Sequence, residues 1–312
     1  MMIEQRLLTR IEKKKAQLDL LRPFPAASVA RLRDQLMVEW VYNSNAIEGS
    51  TITLQETRLI LETGLTIGGK SLREHFEVIN HRDAIGCVEN LARSTEPVTP
   101  FHVRQIHQLV LSRIDDENAG RYRETQVRIA GTAFIPPESW QVPALMMEWG
   151  EWLAAEEKAS HPVELAALAH HRLVAIHPFI DGNGRTARLV MNLILMRAGY
   201  PPAVIQRINR RQYYQVLHQA DAGKPAALVN FIGRAVESSL NLYLEACRPV
   251  LAAPGPEEEW ISLQEAAEGT PYSQEYLSLL ARTGKLDAAK RGRVWTTTRK
   301  AVEAYRKTTG KS

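Results

Sequence analysis

The sequence predicts a mainly α-helical protein with one short β-hairpin and a small, separate C-terminal unit. Three observations carry this prediction. Apolar residues recur at three- and four-residue spacing through most of the chain before position 248. One segment alternates with period two instead, and a stretch rich in Pro, Ala, Gly and Glu precedes a basic tail.

Taken in order, residues 30–47 form the first periodic segment, with Leu32, Leu36, Met37, Trp40 and Val41 on one stripe. A second helix starts at Thr53, whose hydroxyl caps it while Glu56 closes a capping box, and it stops at Gly64. Residues 72–91, 101–113, 143–159 and 162–176 continue the helical period. The run Val127-Arg128-Ile129-Ala130-Gly131-Thr132-Ala133-Phe134-Ile135, stopped by Pro136-Pro137, reads as a hairpin or flap. A further helix spans 185–198, ended by Gly199 and Pro201-Pro202. Residues 249–259 are a linker by composition, and 260–312 form a compact unit of its own. In that unit the sequence predicts a short helix over 263–268, a helix capped by Ser273 and ended at Gly284, a basic hairpin over 289–295, and a last helix opened by Thr298.

Composition excludes several classes. With 312 residues, 45% hydrophobic and 24% charged, the chain has globular proportions and room for two domains. No apolar run approaches the roughly 20 residues that cross a bilayer, so no membrane partner is expected. The start, Met-Met-Ile-Glu-Gln-Arg running into Glu12-Lys13-Lys14-Lys15, shows no secretory signal, and a cytoplasmic location is expected. Cys87 and Cys247 are too few for a disulfide framework, and both read as reduced, buried, small apolar residues. Residues 260–312 hold ten Lys and Arg against five Asp and Glu, a balance of +5, and the rest of the chain balances to −1, so the excess behind the chain's net +4 lies in the tail.

The chemistry concentrates in His177-Pro178-Phe179-Ile180-Asp181-Gly182-Asn183-Gly184-Arg185-Thr186-Ala187-Arg188, between two predicted helices. Gly182 and Gly184 allow backbone angles that turn consecutive N–H groups toward an anion. The following helix start adds unpaired N–H groups and partial positive charge. Arg185 and Arg188 share a helix face and can each bind phosphate oxygens in pairs. Asp181 offers a hard oxygen suited to Mg²⁺ between two phosphates, and His177 has a pKa suited to taking a proton from a hydroxyl. Base, metal ligand, anion cradle and charge clamp together are the parts of phosphate-ester transfer.

That string matches His-Pro-Phe-x-Asp/Glu-Gly-Asn-Gly-Arg-x-x-Arg at every fixed position, so the sequence resembles the Fic (Fido-fold) family. The resemblance covers roughly residues 30–247 and implies a helical Fic core carrying a β-hairpin flap. It implies a protein adenylyltransferase that moves AMP from ATP to a Ser, Thr or Tyr hydroxyl, with Mg²⁺ as cofactor. In that reading His177 is the general base and Asp181 the Mg²⁺ ligand. Gly182, Asn183 and Gly184 form the anion hole, Arg185 and Arg188 hold the β- and γ-phosphates, and Thr186 and Ala187 are counted with the nucleotide-binding residues. Gly120-Arg121-Tyr122-Arg123 leads into the target-docking flap, with Ile129, Ala130 and Gly131 over the nucleotide. Tyr213 and Tyr214 line the adenine site, and Asp221 stands where relatives often carry Asn.

Ser44-Asn45-Ala46-Ile47-Glu48-Gly49 resembles the family's inhibitory pattern, in which the glutamate, here Glu48, pairs with Arg188 and takes the γ-phosphate's place. Residues 176–202 closely resemble an animal member that both adds and removes AMP, which extends the expectation to removal. The tail resembles a winged helix-turn-helix, implying contact with DNA or with protein. The expected organisation is therefore an N-terminal helical region over 1–95 with the inhibitory motif, a core over 96–248, the linker and the winged unit. Expected partners are ATP, a target protein and the chain itself as a target, with DNA and a homodimer left open. The alternative is a DNA-binding regulator whose core senses nucleotide.

Overall fold

The computed structural model describes residues 2–24, 26–129, 131–132, 134–247, 260–291 and 294–309. The chain divides into two compact units, residues 1–247 and 248–312, each with its own hydrophobic core. The expected linker over 249–259 lies outside the described residues.

In the first unit, helices α1 (Gln5–Asp19), α2 (Ala26–Glu48), α3 (Leu54–Thr63) and α4 (Leu72–Arg93) are followed by α5 (Pro100–Leu111) and α6 (Val142–Glu156). Then come α7 (Pro162–Ile176), α8 (Asn183–Arg197), α9 (Arg210–Asp221) and α10 (Ala226–Ala246). Helix α8 is the centre: its side chains from Arg185 through Leu195 are buried, and α7, α4, α5 and α2 pack around it. A helix covered on all sides needs no polar face, and the Leu189-Val190-Met191 run supplies none. Helices α4 and α5 pack on each other across the expected division at residue 95, inside one continuous core.

Local signals set several boundaries. Helix α3 has the capping box read from the sequence, with Thr53 Oγ1 accepting from the Glu56 amide and Gly64 at φ 72° closing the end. Ser71 and Glu74 cap α4 in the same way. Helix α1 has no counterpart in the sequence reading. Its Leu7, Leu8 and Ile11 pack on α10, and Gly233 allows this approach, since a Cβ there would lie 3.0 Å from Leu7 Cδ2.

The predicted hairpin over 127–137 differs from the structure, because no strand forms among its described residues. Side chains take up the backbone acceptors instead: Gln126 Nε2 donates to Pro136 O at 3.0 Å, and Arg123 to Pro137 O. The two prolines have no N–H for a ladder. The result is a loop whose base is closed by side chains. Ala130 and Ala133 lie outside the described residues. Cys247 is buried as expected, whereas Cys87 is only half-buried at the edge of the core.

The second unit has β1 (Ile261–Ser262), α11 (Leu263–Ala267), α12 (Gln274–Arg282), β2 (Ala288–Arg291), β3 (Val294–Thr297) and α13 (Arg299–Thr309). Its antiparallel sheet has the order β1-β3-β2, with Lys290 opposite Trp295. Leu277, Leu280, Leu286 and Val302 fill its core. No helix among the described residues is long and apolar enough to cross a membrane.

Candidate active site

Helix α7 ends at His177, which adopts φ 49° and ψ 58°, a left-handed conformation that turns the chain out of the helix. Such a conformation costs a non-glycine residue on the order of 1–3 kcal/mol and persists only where surroundings enforce it. Here Arg123 Nε donates to His177 O at 2.8 Å, and the Arg123 amide donates to Pro178 O at 2.9 Å. The His177 imidazole Nδ1 lies 3.3 Å from Val174 O. A carbonyl only accepts, so Nδ1 carries the proton and Nε2 keeps a free lone pair. Burial pushes the imidazole below its usual range; the Val174 carbonyl, Glu48 and Asp181 oppose this and Arg123 adds to it.

The loop is held from behind. Phe179 is fully buried and stacks on His107 with ring centroids 3.6 Å apart. Asn183 clasps the Phe179 backbone at both ends, its Oδ1 accepting from Phe179 N at 3.0 Å and its Nδ2 donating to Phe179 O at 2.8 Å. The Gly120 amide donates to His107 Nδ1 at 3.0 Å, so Nε2 carries the proton and donates to Asp181 O at 2.9 Å. Burial pushes His107 down to about 4. Gly182, at φ 75°, starts α8 left-handed, and a Cβ there would stand 3.3 Å from His107 Nε2. Because α8 begins at Asn183, the N–H groups of Asn183, Gly184 and Arg185 have no partner within the helix.

Across this helix start lies Glu48, the last residue of α2. Its Oε1 is 2.8 Å from Arg188 Nη1. Arg188, only 3% exposed, also donates from Nε to Ser44 Oγ at 3.1 Å and from Nη2 to Ser44 O at 2.8 Å. Burial works against its charge, but Glu48 and Tyr213 together outweigh it and its pKa is raised. The carboxylate lies so close over the loop that a Cβ on Gly184 would be 2.3 Å from Glu48 Oε1.

Asp181 is half-buried. Its carboxylate accepts from the Gly182 amide at 2.6 Å and pairs with Arg73 at 2.5 Å and Arg185 at 3.5 Å. Burial raises its pKa, but Arg185, the Gly182 amide and Arg73 together hold it below the ordinary carboxylate range. A half-exposed carboxylate beside an anion cradle fits Mg²⁺, which uses one or two carboxylates and takes its other ligands from phosphates and water. Among the described residues no cluster of three or more His, Cys, Asp or Glu is placed to hold a metal alone.

A cavity of about 510 Å³ opens onto these groups. Of the residues expected from the sequence, Glu48, Ile129, Gly131, His177, Asp181, Gly182, Asn183, Gly184, Arg188, Tyr213, Tyr214 and Asp221 line it. Ala130 is outside the described residues. Arg185, Thr186 and Ala187 are not part of its lining. Arg185 is 3% exposed and turns to Glu77, at 3.3 Å, and Asp181 instead of lining the cavity. Thr186 and Ala187 are fully buried in the core, because that face of α8 packs inward. Tyr213 is buried with its hydroxyl 2.8 Å from His170 Nε2, while Tyr214 is half-exposed at the cavity wall. His171 Nε2 donates to Asp221 at 2.9 Å, so that carboxylate is already engaged.

Four functional neighbours carry no sequence signal: Arg73 and Glu77 on α4, His107 on α5, and Arg210 on α9. Arg210 donates to Ile47 O at 2.6 Å, beside Glu48, and its guanidinium lies 4.9 Å from the Tyr214 ring centroid.

Comparison with known proteins points to one family. Residues 97–195 match the Fic/DOC family. The chain is 40% identical over 246 residues to the Protein adenylyltransferase Fic of Nematostella vectensis, covering 78% of this chain and 56% of that one. It thus spans about half the length of the curated relatives it matches. Among solved structures it is similar to a Fic domain containing signaling protein from Bacteroides thetaiotaomicron, at 31% identity and TM-score 0.72, covering 76% of this chain and 97% of that one. It is also similar to Fic-1 of C. elegans, at 34% identity and TM-score 0.71, covering 78% and 72%. The loop between α7 and α8, the domain match around it and likeness over nearly the whole of a solved relative lead to one assignment: this chain belongs to the Fic/DOC family.

Proposed function

We propose that the first unit is a protein adenylyltransferase that moves AMP from ATP to a hydroxyl on a target protein, and that Glu48 restrains it. The observation that carries this reading is the 2.8 Å pair of Glu48 with Arg188 directly over the helix start that would cradle phosphate. The curated relatives bear the name of that activity. His177 Nε2 takes the proton of the target hydroxyl, whose oxygen bonds to the α-phosphorus as the bond to pyrophosphate breaks. The N–H groups of residues 183–185 face the charge that builds on the phosphate oxygens. Asp181 would hold Mg²⁺, which neutralises phosphate charge when bound. Arg188 binds the outermost phosphate once Glu48 leaves it. Removal of AMP by the unmodified chain fits the same site, since a modified hydroxyl brings no γ-phosphate to compete with Glu48.

The test is transfer from ATP labelled at the α- or γ-phosphate by wild-type and Glu48→Gly chains. Label from the α-position alone, stronger in the variant, supports the reading. Label from the γ-position makes the enzyme a kinase, and equal labelling by both chains removes Glu48 from control.

For the second unit, the concentration of positive charge and the paired β2–β3 hairpin support contact with a DNA backbone. Binding of the full chain to duplex DNA should weaken steeply with salt, and Arg291→Ala with Arg293→Ala should flatten that slope. Gly292 and Arg293 lie outside the described residues. A slope unchanged by the substitutions leaves protein contact as the role of this unit.

A further inference from the structure

Arg123 is 2% exposed, and its hydrogen bonds go to carbonyl groups instead of a carboxylate. Nε donates to His177 O at 2.8 Å, Nη1 to Thr125 O at 3.0 Å and Gln126 Oε1 at 3.3 Å, and Nη2 to Pro137 O, while its amide holds Pro178 O. These acceptors belong to three segments. His177 and Pro178 open the catalytic loop, Thr125 and Gln126 begin the flap, and Pro137 ends it. Gln126 completes the clasp by donating to Pro136 O at 3.0 Å.

A buried cation is costly unless its surroundings compensate. Here the compensation includes the carbonyl of the residue capping α7, where the helix dipole is negative. Only a planar fork with five donors spans these directions at once; an ammonium on a flexible stem does not. We propose that Arg123 is a positioning residue that fastens the flap and His177 to each other, so that a hydroxyl-bearing segment seated on the flap meets Nε2 at a fixed distance. The flap and the base then move as one piece, and target docking is coupled to placement of the base. This rests on the reading of His177 as the base in AMP transfer.

The groups that act electrostatically on His177 are Arg123, which lowers its pKa, and Glu48 and Asp181, which raise it. A Glu48→Gly parent removes one of them from every sample. The experiment compares that full-length parent with Arg123→Gln, Arg123→Lys and Gln126→Ala made in it. Four quantities are read: ATP affinity, single-turnover self-labelling at saturating ATP, protease cleavage within 124–137, and the His177 titration midpoint by NMR. Arg123→Gln should keep ATP affinity within twofold, lower labelling at least thirtyfold, expose the flap to cleavage and raise the His177 midpoint. Arg123→Lys should restore the midpoint but not the labelling, because charge returns without the fork. Gln126→Ala, at an exposed position that threatens folding least, should give a smaller loss of labelling with more flap cleavage.

Labelling within threefold of the parent in Arg123→Lys overturns the proposal, as does loss of labelling matched by equal loss of ATP binding. Should the parent itself show no labelling, the adenylyltransferase reading falls while the coupling is still decided. Flap cleavage and a shifted His177 midpoint in Arg123→Gln uphold it, and an unmoved pair of readings ends it.

Discussion

Replacing Gly184 with alanine separates the effect of the Glu48 carboxylate from that of the helix it covers. Residue 184 lies in the first turn of α8, where alanine is worth about 0.5–1 kcal/mol over glycine. With Glu48 in place, the new Cβ would stand 2.3 Å from Oε1 and 3.1 Å from Arg188 Nη1, so the carboxylate must leave its position. That breaks the 2.8 Å pair with an arginine that is 3% exposed. A hydrogen bond to a charged group is worth about 1.5–3 kcal/mol, and Glu48, one third exposed on its own side, places this one toward the lower end. Gly184→Ala should therefore destabilise the wild-type chain by about 1 kcal/mol, yet stabilise a Glu48→Ala chain by about 0.5–1 kcal/mol. Alanine serves at position 48 because it adds no flexibility to the end of α2. Urea denaturation of the four proteins measures the cycle, with an expected coupling of about 2 kcal/mol. Effects of the same sign, agreeing within about 0.5 kcal/mol in both backgrounds, would refute the close packing of Glu48 on the loop.

Two further expectations concern the histidines. His177→Ala should abolish AMP transfer in the Glu48→Gly chain while ATP affinity changes less than threefold, because the triphosphate is held by the α8 start and Arg188; calorimetry with a labelling assay reads both, and undiminished labelling removes His177 from the chemistry. His107 should make the fold acid-sensitive: its pKa falls from an ordinary 6.5 to about 4 on folding, so its contribution is complete above pH 6.5. As pH drops from 6.5 toward 4 the unfolded chain takes up a proton that the folded chain refuses, and stability declines by roughly 1.4 kcal/mol per pH unit for this one group. Protonation would also cost the acceptor that holds the Gly120 amide. His107→Gln should flatten the slope of stability against pH in that window, and an unchanged slope would contradict its neutral, buried role.

Much of this site was legible because its chemistry is contiguous. The twelve residues from His177 to Arg188 sit in one turn and one helix start, so their spacing reports their geometry directly. The pairing of Glu48 with Arg188 was legible only through a family resemblance, since the partners stand far apart along the chain and nothing local links them. Thr53, Glu56 and Gly64 set a helix by local bonds, which makes its ends readable from the residues alone. Helix α1 is not readable in this way, because Leu7, Leu8, Ile11 and Leu18 stand among charged residues and gain meaning only from the α10 surface they cover. The alternation of the flap reads as paired strands, but the acceptors at its base are taken by Arg123 and Gln126, whose reach depends on the fold. Arg73 lies 108 positions from Asp181 and joins it only because α4 packs beside α8.

The central claim is that the Glu48 carboxylate occupies the place on Arg188 that an outer phosphate of ATP would take. Calorimetric binding of ATP and of AMP to wild-type and Glu48→Gly chains tests it without requiring a target. The claim predicts at least a tenfold gain in ATP affinity on substitution, about 1.4 kcal/mol, with AMP affinity changed less than twofold because AMP carries no phosphate that reaches Arg188. Equal gains for both nucleotides, or no gain for ATP, would contradict it.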